Sequence, residues 1–309
     1  MPTTLEALSN DLAAATERAG AAVVAIHARR RIPASGIVWR PGLVVAADHT
    51  VHKNEDVRVT LADGTDARAT VAGRHPGADL CILKLADGAA ATPATISRDP
   101  LRVGQLALAL GRPGTAITAS LGVVSALGPA WHTARGEKID QFVRLDLVVY
   151  DGFSGGPLVN ASGEVAGLNT SGLARGAAVA IPVETVDRVV QGLLAGNGAI
   201  GRGYLGVGTQ SVELPAAVRD SLGTIGGRTP RVGLMVVAVQ PDSPAERAGI
   251  LLGDLLVALD ETTTEDWRDI LGSLGSDSVG KTLTATIVRA GQPIRLDVMV
   301  GERPTGGAR

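Results

Sequence analysis

From Ala22 onward the chain does not sustain a helical period. It breaks instead into short apolar runs, each closed by a turn signal. Val23-Val24-Ala25-Ile26, Gly36-Ile37-Val38-Trp39, Leu43-Val44-Val45-Ala46 and Val57-Arg58-Val59-Thr60-Leu61 are the first of them. Ala69-Thr70-Val71-Ala72, Leu80-Cys81-Ile82-Leu83, Leu106 to Leu110 and Gly122-Val123-Val124-Ser125 follow. Pro41-Gly42, Asp63-Gly64, Pro76-Gly77 and Ser162-Gly163 punctuate the series. Many short strands at near-regular spacing predict a mainly β fold of barrels or sandwiches. Aromatic residues are only 2% of the 309, so the core has to be made of Val, Leu, Ile and Ala, and 40 glycines suit a loop-rich β protein.

Two helical patterns frame this region. Thr3 and Glu6 form a capping box, and Leu5, Leu8, Leu12 and Ala15 then recur at helical spacing, which predicts an amphipathic helix within 1–20 that covers the first barrel or meets another subunit. Pro182 opens a second helix with Val183, Val186, Val189, Val190, Leu193 and Leu194 on one face, closing a domain at 21–199. A further α+β unit occupies 200–302. Its signals are a strand at Leu234–Val239, a capping box at Ser243-Pro244-Ala245-Glu246 with a stop at Gly249, a strand at Leu255–Leu259, a helix at Glu265–Leu274 and a hairpin around Ala290-Gly291. Residues 303–309 are expected to be a loose tail.

Several function classes are disfavoured at once. A net charge of −2 gives no reason to expect nucleic acid as a partner. No run of 18 apolar residues marks an integral membrane segment. No ligand cluster suggests a metal and no phosphate loop a nucleotide, so no cofactor is expected. The single cysteine, Cys81, is expected to be a buried core residue and excludes an intramolecular disulfide. Met1 to Ala19 lacks the basic start and apolar run of a secretion signal. The expectation is a cytoplasmic protein, or a periplasmic or extracellular one if a leader was removed.

The chemistry concentrates at Asp151-Gly152-Phe153-Ser154-Gly155-Gly156-Pro157. A serine hydroxyl becomes a nucleophile when a base takes its proton and fixed donors hold the oxyanion. Upstream, an apolar strand runs into His49, and Asp79 stands at the entry of another. His49, Asp79 and Ser154 follow the chain order of the chymotrypsin fold. His52 is expected to be a surface residue, and His27, His75 and His132 solvated loop residues.

Around these residues the chain resembles the HtrA/Deg-type proteases, a trypsin-like domain followed by a PDZ domain. The likeness runs through Gly42 to Val51, Gly73 to Leu85, Val103 to Gly114, Ser120 to Ser125, Asp146 to Asn160, Gly163 to Thr170, Ala180 to Pro182 and Gly203 to Val207, so roughly residues 20–300 are covered. The resemblance implies a double six-stranded β-barrel. It implies Ser154 as nucleophile, His49 as general base, Asp79 as its orienting partner, and the amides of Gly152 and Ser154 as the oxyanion hole.

The specificity pocket is implied to have Val148 at its base, Asn169, Thr170 and Ser171 as one wall, and Ala178, Val179 and Ala180 as another. With no carboxylate among them, cleavage after small or medium aliphatic residues is expected. In the PDZ domain, Tyr204, Leu205, Gly206 and Val207 resemble the carboxylate-binding loop of a peptide-binding groove, with Ile270 and Leu274 opposite. The implied partners are unfolded protein or peptide substrates, and peptide C-termini at the PDZ domain.

Family members commonly form trimers through aromatic residues near the N-terminus, whereas here none precedes Trp39. A homotrimer is therefore implied with a sequence feature against it. The sequence also departs at Phe153, where the family usually has Asn, and at Tyr150-Asp151, where it has Asn-Pro. Phe153 is the hint for an alternative reading, a proteolytically silent peptide sensor or chaperone-like holder on the same fold.

Overall fold

A computed structural model describes residues 3–29, 31–174, 176–196, 198, 203–275 and 278–302, the Arg268 side chain apart. The expected join at 199–200 and the expected loose tail at 303–309 lie outside the described residues. The chain divides into two compact units, residues 1–131 with 139–200, and 132–138 with 201–309.

The first unit opens with α1 (Thr4–Gly20), whose Thr3 and Glu6 close the reciprocal capping box. Six strands then close a barrel: β1 (Val23–His27), β2 (Ala34–Arg40), β3 (Leu43–Ala47), β4 (Val57–Thr60), β5 (Asp66–His75) and β6 (Leu80–Leu85). Next come β7 (Leu106–Gly111), β8 (Thr118–Gly128) and a short hairpin of β9 (Trp131–His132) and β10 (Lys138–Ile139). With β11 (Phe142–Asp146), β12 (Pro157–Val159), β13 (Val165–Thr170) and β14 (Ala178–Pro182), β7 and β8 close a second six-stranded barrel. Then α2 (Val183–Ala195) follows. The fold class is thus mainly β with paired barrels.

Strand periodicity explains why the apolar runs are continuous rather than alternating. On β6, Cys81 and Leu83 fill the first barrel with Val24, Ile26, Val44, Val57 and Val59. Leu80 and Ile82 point the other way, into a core shared with Leu168 and Ile181 of the second barrel and with Val186, Val189 and Leu193 of α2. Both faces are buried, so both must be apolar, each such Leu or Ile contributing about 1.5–3 kcal/mol. Trp39 ties the first barrel to α2 by donating its indole N–H to Asp187 at 2.8 Å.

Four expectations change here. Helix α1 packs mainly on the second barrel rather than the first, Ala15 and Ala19 clustering with Leu108, Leu110 and Val159 and, from the first barrel, with Val23 alone. Leu194 leaves the predicted face of α2 and is exposed. His75 is not a solvated loop residue: it closes β5, buried, with Nδ1 accepting from the Ala78 amide at 3.1 Å. His27 likewise sits on β1, where burial and the neighbouring Arg58 guanidinium push its pKa down.

In the second unit β15 (Gly203–Tyr204) leads to β16 (Val207–Glu213), an unforeseen short α3 (Ala216–Leu222), β17 (Val232–Val239), α4 (Pro244–Arg247), β18 (Leu255–Leu259), β19 (Thr262–Thr263), α5 (Trp267–Ser273), β20 (Thr282–Arg289), β21 (Gln292–Met299) and β22 (Gly301–Glu302). The main sheet runs β16-β17-β18-β20-β21, which leaves β16 on an edge. Leu205, Leu234, Leu256, Ile270, Ile287 and Val298 lie in its core.

Candidate active site

Strand β3 delivers His49 onto a single 3-10 turn, Asp48–Thr50, closed by the Thr50 hydroxyl on the Ala47 carbonyl at 2.7 Å. The tight turn between β5 and β6 holds Asp79 at a φ of +55°, a sparsely populated conformation for a non-glycine residue. What compensates is a set of bonds. The His49 amide donates to Asp79 Oδ1 at 2.9 Å, and His49 Nδ1 lies 2.8 Å from Oδ2. The Thr170 hydroxyl, at the end of β13, donates to the same Oδ2 at 2.5 Å. Asp79 is buried while the His49 side chain is 37% exposed, so the pair presents Nε2 outward. Arg74 of β5 braces the turn through Asp48 at 2.6 Å.

Gly172 has to be glycine for this pair to be covered. A Cβ there would lie 2.6 Å from Asp79 Oδ2 and 2.8 Å from His49 Nδ1.

Ser154 follows β11 in a turn that leads into β12. Its flanking backbone is locked on both sides: Gly155 donates to the Asn169 carbonyl at 2.9 Å, and Asn169 donates back to Gly156 at 2.8 Å. The Gly152 carbonyl accepts from the buried Ser35 hydroxyl at 2.6 Å, and Ser35 Oγ accepts from the Arg112 amide at 2.7 Å. Ser35 also donates its amide to the Ser154 carbonyl at 3.3 Å. Arg112 is itself buried, its guanidinium donating to the carbonyls of Val23, Thr115 and Gly20.

Phe153 is fully buried beneath the turn, edge-on to Tyr150 with ring centroids 5.4 Å apart. Its amide donates to the Tyr150 carbonyl at 3.0 Å. The amides of Gly152 and Ser154 have no acceptor among the described residues. A bulky apolar residue before Ser154 therefore anchors a turn in which the amides of Gly152 and Ser154 stay uncommitted.

The predicted triad is brought together incompletely. His49 and Asp79 are bonded, but no hydrogen bond joins Ser154 to His49. The Ser154 hydroxyl instead meets Ser171, 3.1 Å away, and Ser171 Oγ stands 3.5 Å from His49 Nε2. His52 lies outside this constellation; exposed, it donates Nε2–H to the His49 carbonyl.

The predicted pocket residues differ in exposure. Val148 is 53% exposed rather than enclosed. Asn169 is buried, donating Nδ2–H to the Pro157 carbonyl at 2.7 Å, and Thr170 faces Asp79. Ala178, Val179 and Ala180 pair along β13 and β11. Sequence reasoning missed Ser35, Arg112 and Thr170 as supports of the site; a Ser-Gly pair on a buried strand was the available signal for the first.

In the second unit, Tyr204, Leu205, Gly206, Val207, Trp267, Ile270, Leu271 and Leu274 line a cavity of about 210 Å³ between the β16 edge and α5. Gly206 has a φ of +84°, and a Cβ there would lie 2.3 Å from the Ser243 Cβ. The Leu205 carbonyl is held by the Ala245 amide and the Gly206 carbonyl by Gln240, while the Leu205 and Gly206 amides have no acceptor among the described residues.

Comparison with known proteins agrees with this anatomy. The trypsin-like peptidase domain family matches residues 34–168 and the PDZ domain family residues 203–300. The chain is 33% identical over 285 residues to a DegP-like periplasmic serine endoprotease of Rhizobium meliloti, covering 90% of this chain and 55% of that protein. It is 32% identical over 287 residues to the serine protease HhoA of Synechocystis sp., covering 88% and 72%. The chain thus spans about half the length of several curated relatives it matches. Among solved structures, the HtrA-type protease AlgW with a decapeptide superposes with a TM-score of 0.70 at 27% identity, covering 95% of this chain and 99% of that one. The serine endoprotease from Yersinia pestis gives 0.70 at 26%, covering 98% and 100%.

One expectation is corrected by these relatives. Those from Rhizobium meliloti, Brucella suis and Chlamydia trachomatis are periplasmic proteins by name, which points away from the expected cytoplasmic location. Cysteine usage could not have revealed this, because a lone buried Cys81 forms no internal disulfide in either compartment. The match to HhoA over most of both chains, with the two domain families in the same order, makes this chain a member of the HtrA-type serine proteases, trypsin-like enzymes that carry a PDZ domain.

Proposed function

We propose that this chain is an ATP-independent serine endopeptidase that cuts unfolded or damaged protein, with a peptidase domain at 21–199 behind the helix at 1–20 and a peptide-capturing PDZ domain at 200–302. The observation that carries the reading is the His49–Asp79 pair at 2.8 Å beside a serine whose own amide, like that of Gly152, is uncommitted. In the proposed reaction Ser154 Oγ attacks the scissile carbonyl as its proton passes to His49 Nε2. Asp79 keeps the imidazole in the right tautomer and stabilises its charged form. The oxyanion is held by the amides of Gly152 and Ser154, each such donor being worth about 10²–10³ in rate. The protonated His49 then gives its proton to the leaving amine, and water releases the acyl group by the reverse route.

Val148, with the segments 169–171 and 178–180, supplies the specificity pocket in this reading. These positions carry no carboxylate, which favours small or medium aliphatic residues before the cut. At the PDZ domain, a peptide C-terminus adds as a strand to the β16 edge, its carboxylate on the Leu205 and Gly206 amides and its last side chain among Leu205, Val207, Ile270 and Leu274. Assembly as a homotrimer rests on the family resemblance alone.

The test is intact mass after treatment with a fluorophosphonate, comparing the native chain with Ser154→Ala, followed by mapping of cuts in a denatured protein. One adduct on the native chain and none on the variant, with Val, Ala or Leu before the cuts, is the expected result. An adduct on both chains would overturn Ser154 as nucleophile. Cuts dominated by Lys or Arg would overturn the pocket.

A further inference from the structure

We infer that Ser171 is a latch on the nucleophile: at rest it holds the Ser154 hydroxyl off His49 and so limits how fast Ser154 reacts. The inference rests on the assignment of Ser154 as nucleophile. Both polar contacts of Ser154 Oγ come from one residue, the Ser171 hydroxyl at 3.1 Å and the Ser171 amide at 3.3 Å. The hydrogen-bond contact of His49 Nε2 is also Ser171 Oγ, at 3.5 Å. A general base has to reach the proton it removes at about 2.6–3.2 Å. Here the place of that bond is taken by a third hydroxyl.

Ser171 is not there by accident of a mobile loop. The residue before it, Thr170, is bonded to Asp79, and the residue after it, Gly172, donates to Thr170 Oγ1 at 2.9 Å. The latch therefore hangs from the same carboxylate that orients His49. The Ser171 amide adds to the restraint, because a donor on Oγ fixes its position and lowers its nucleophilicity. Ser171 is exposed, so the latch faces the side from which substrate arrives.

The other role such a hydroxyl could play is a relay, carrying the proton from Ser154 to His49. The Ser171–His49 span is at the outer limit of a hydrogen bond, whereas the Ser154–Ser171 contact is shorter and doubled, and this asymmetry favours restraint over relay.

The experiment is the rate of fluorophosphonate labelling of the full chain as wild type, Ser171→Ala and Ser171→Thr. In that reaction the Oγ–P bond forms, the P–F bond breaks, fluoride leaves and the hydroxyl proton goes to His49 Nε2. Removing one competing hydrogen bond of ordinary strength is expected to speed labelling of Ser171→Ala about three- to tenfold. Ser171→Thr keeps the hydroxyl and is expected to lose the acceleration seen in Ser171→Ala. Merely structural damage at this position would slow labelling, not speed it. An unchanged rate in Ser171→Ala overturns the latch. A slower rate restored by Ser171→Thr also overturns it and makes Ser171 a relay. A Ser154→Ala control run alongside separates the two claims: persistent labelling there refutes the nucleophile, whatever Ser171 does.

Discussion

The turn around Ser154 and the groove beside β16 are built on opposite principles. In the turn, many polar groups are already committed, the Gly152 and Ser154 amides and Asn169 Oδ1 excepted. Ser35 holds the Gly152 carbonyl, Arg112 holds Ser35, Asn169 clamps Gly155 and Gly156, and Thr170 and His49 share Asp79. In the groove, the edge of β16 carries no partner strand, two amides are open and Trp267 is half exposed. The difference fits the roles proposed for each. Stabilising a transition state needs donors fixed before charge develops. Adding a peptide strand needs backbone groups left unsatisfied until the peptide comes. Polar commitment is therefore dense at the turn proposed for chemistry and sparse at the groove proposed for peptide capture.

The sharpest way to break this contrast is at Asp79. In Asp79→Asn the shape is kept, but the acceptor that holds the imidazole tautomer is lost, and a drop of about 10⁴ in kcat is expected. Binding of a hydrophobic C-terminal peptide to the same variant should be unchanged. Steady-state cleavage and peptide titration on one preparation measure both. A loss of less than tenfold in kcat would mean that the committed network does not serve catalysis.

Ser35→Ala comes next. It strips one acceptor and one donor from buried partners, the Arg112 amide and the Gly152 carbonyl. Each unsatisfied group costs about 1–3 kcal/mol of stability. If Gly152 then turns its amide away from the oxyanion, kcat falls by about 10²–10³. A lowered thermal midpoint with intact kcat would reduce Ser35 to a packing residue.

How far the sequence reaches is clear from such residues. The barrels are legible because strand length and turn chemistry are local: Pro41-Gly42 and Asp63-Gly64 sit where β2 meets β3 and β4 meets β5. His49, Asp79 and Ser154 are legible as candidates because each stands beside a strand-forming run and the three follow the chain order of a Ser-His-Asp triad. Ser35 and Arg112 are not, since their meaning is a hydrogen bond across 77 residues of chain. The packing side of α1 was not legible either, because an alanine face fits either barrel. Val148 shows the limit for pockets: spacing from Ser154 gives its position in the chain but not its exposure.

On the capture side, Gly206→Val should weaken peptide binding at least tenfold. The new side chain has no room against Ser243, and at a positive φ a β-branched residue is strained. Labelling of Ser154 by a fluorophosphonate in the absence of peptide should stay at the wild-type rate. Isothermal titration with a hydrophobic C-terminal peptide reads the first effect and intact mass the second. If peptide binding survives, the carboxylate does not sit on this loop.

The smallest expected effect is an absence, and it tests how closed the first unit is. Cys81 is fully buried on β6, and desolvation pushes its thiol up to about 12. A raised thiol pKa disfavours the reactive anion, so at pH 8 roughly one molecule in ten thousand would carry thiolate. Iodoacetamide should add no mass to the folded chain and one carbamidomethyl group in denaturant. Adding the C-terminal peptide should not change that, because filling an open groove asks nothing of a core already packed on both faces of β6. Labelling that quickens with peptide would mean that capture loosens the first barrel, and the separation drawn between a committed site and an open one would fail at Cys81.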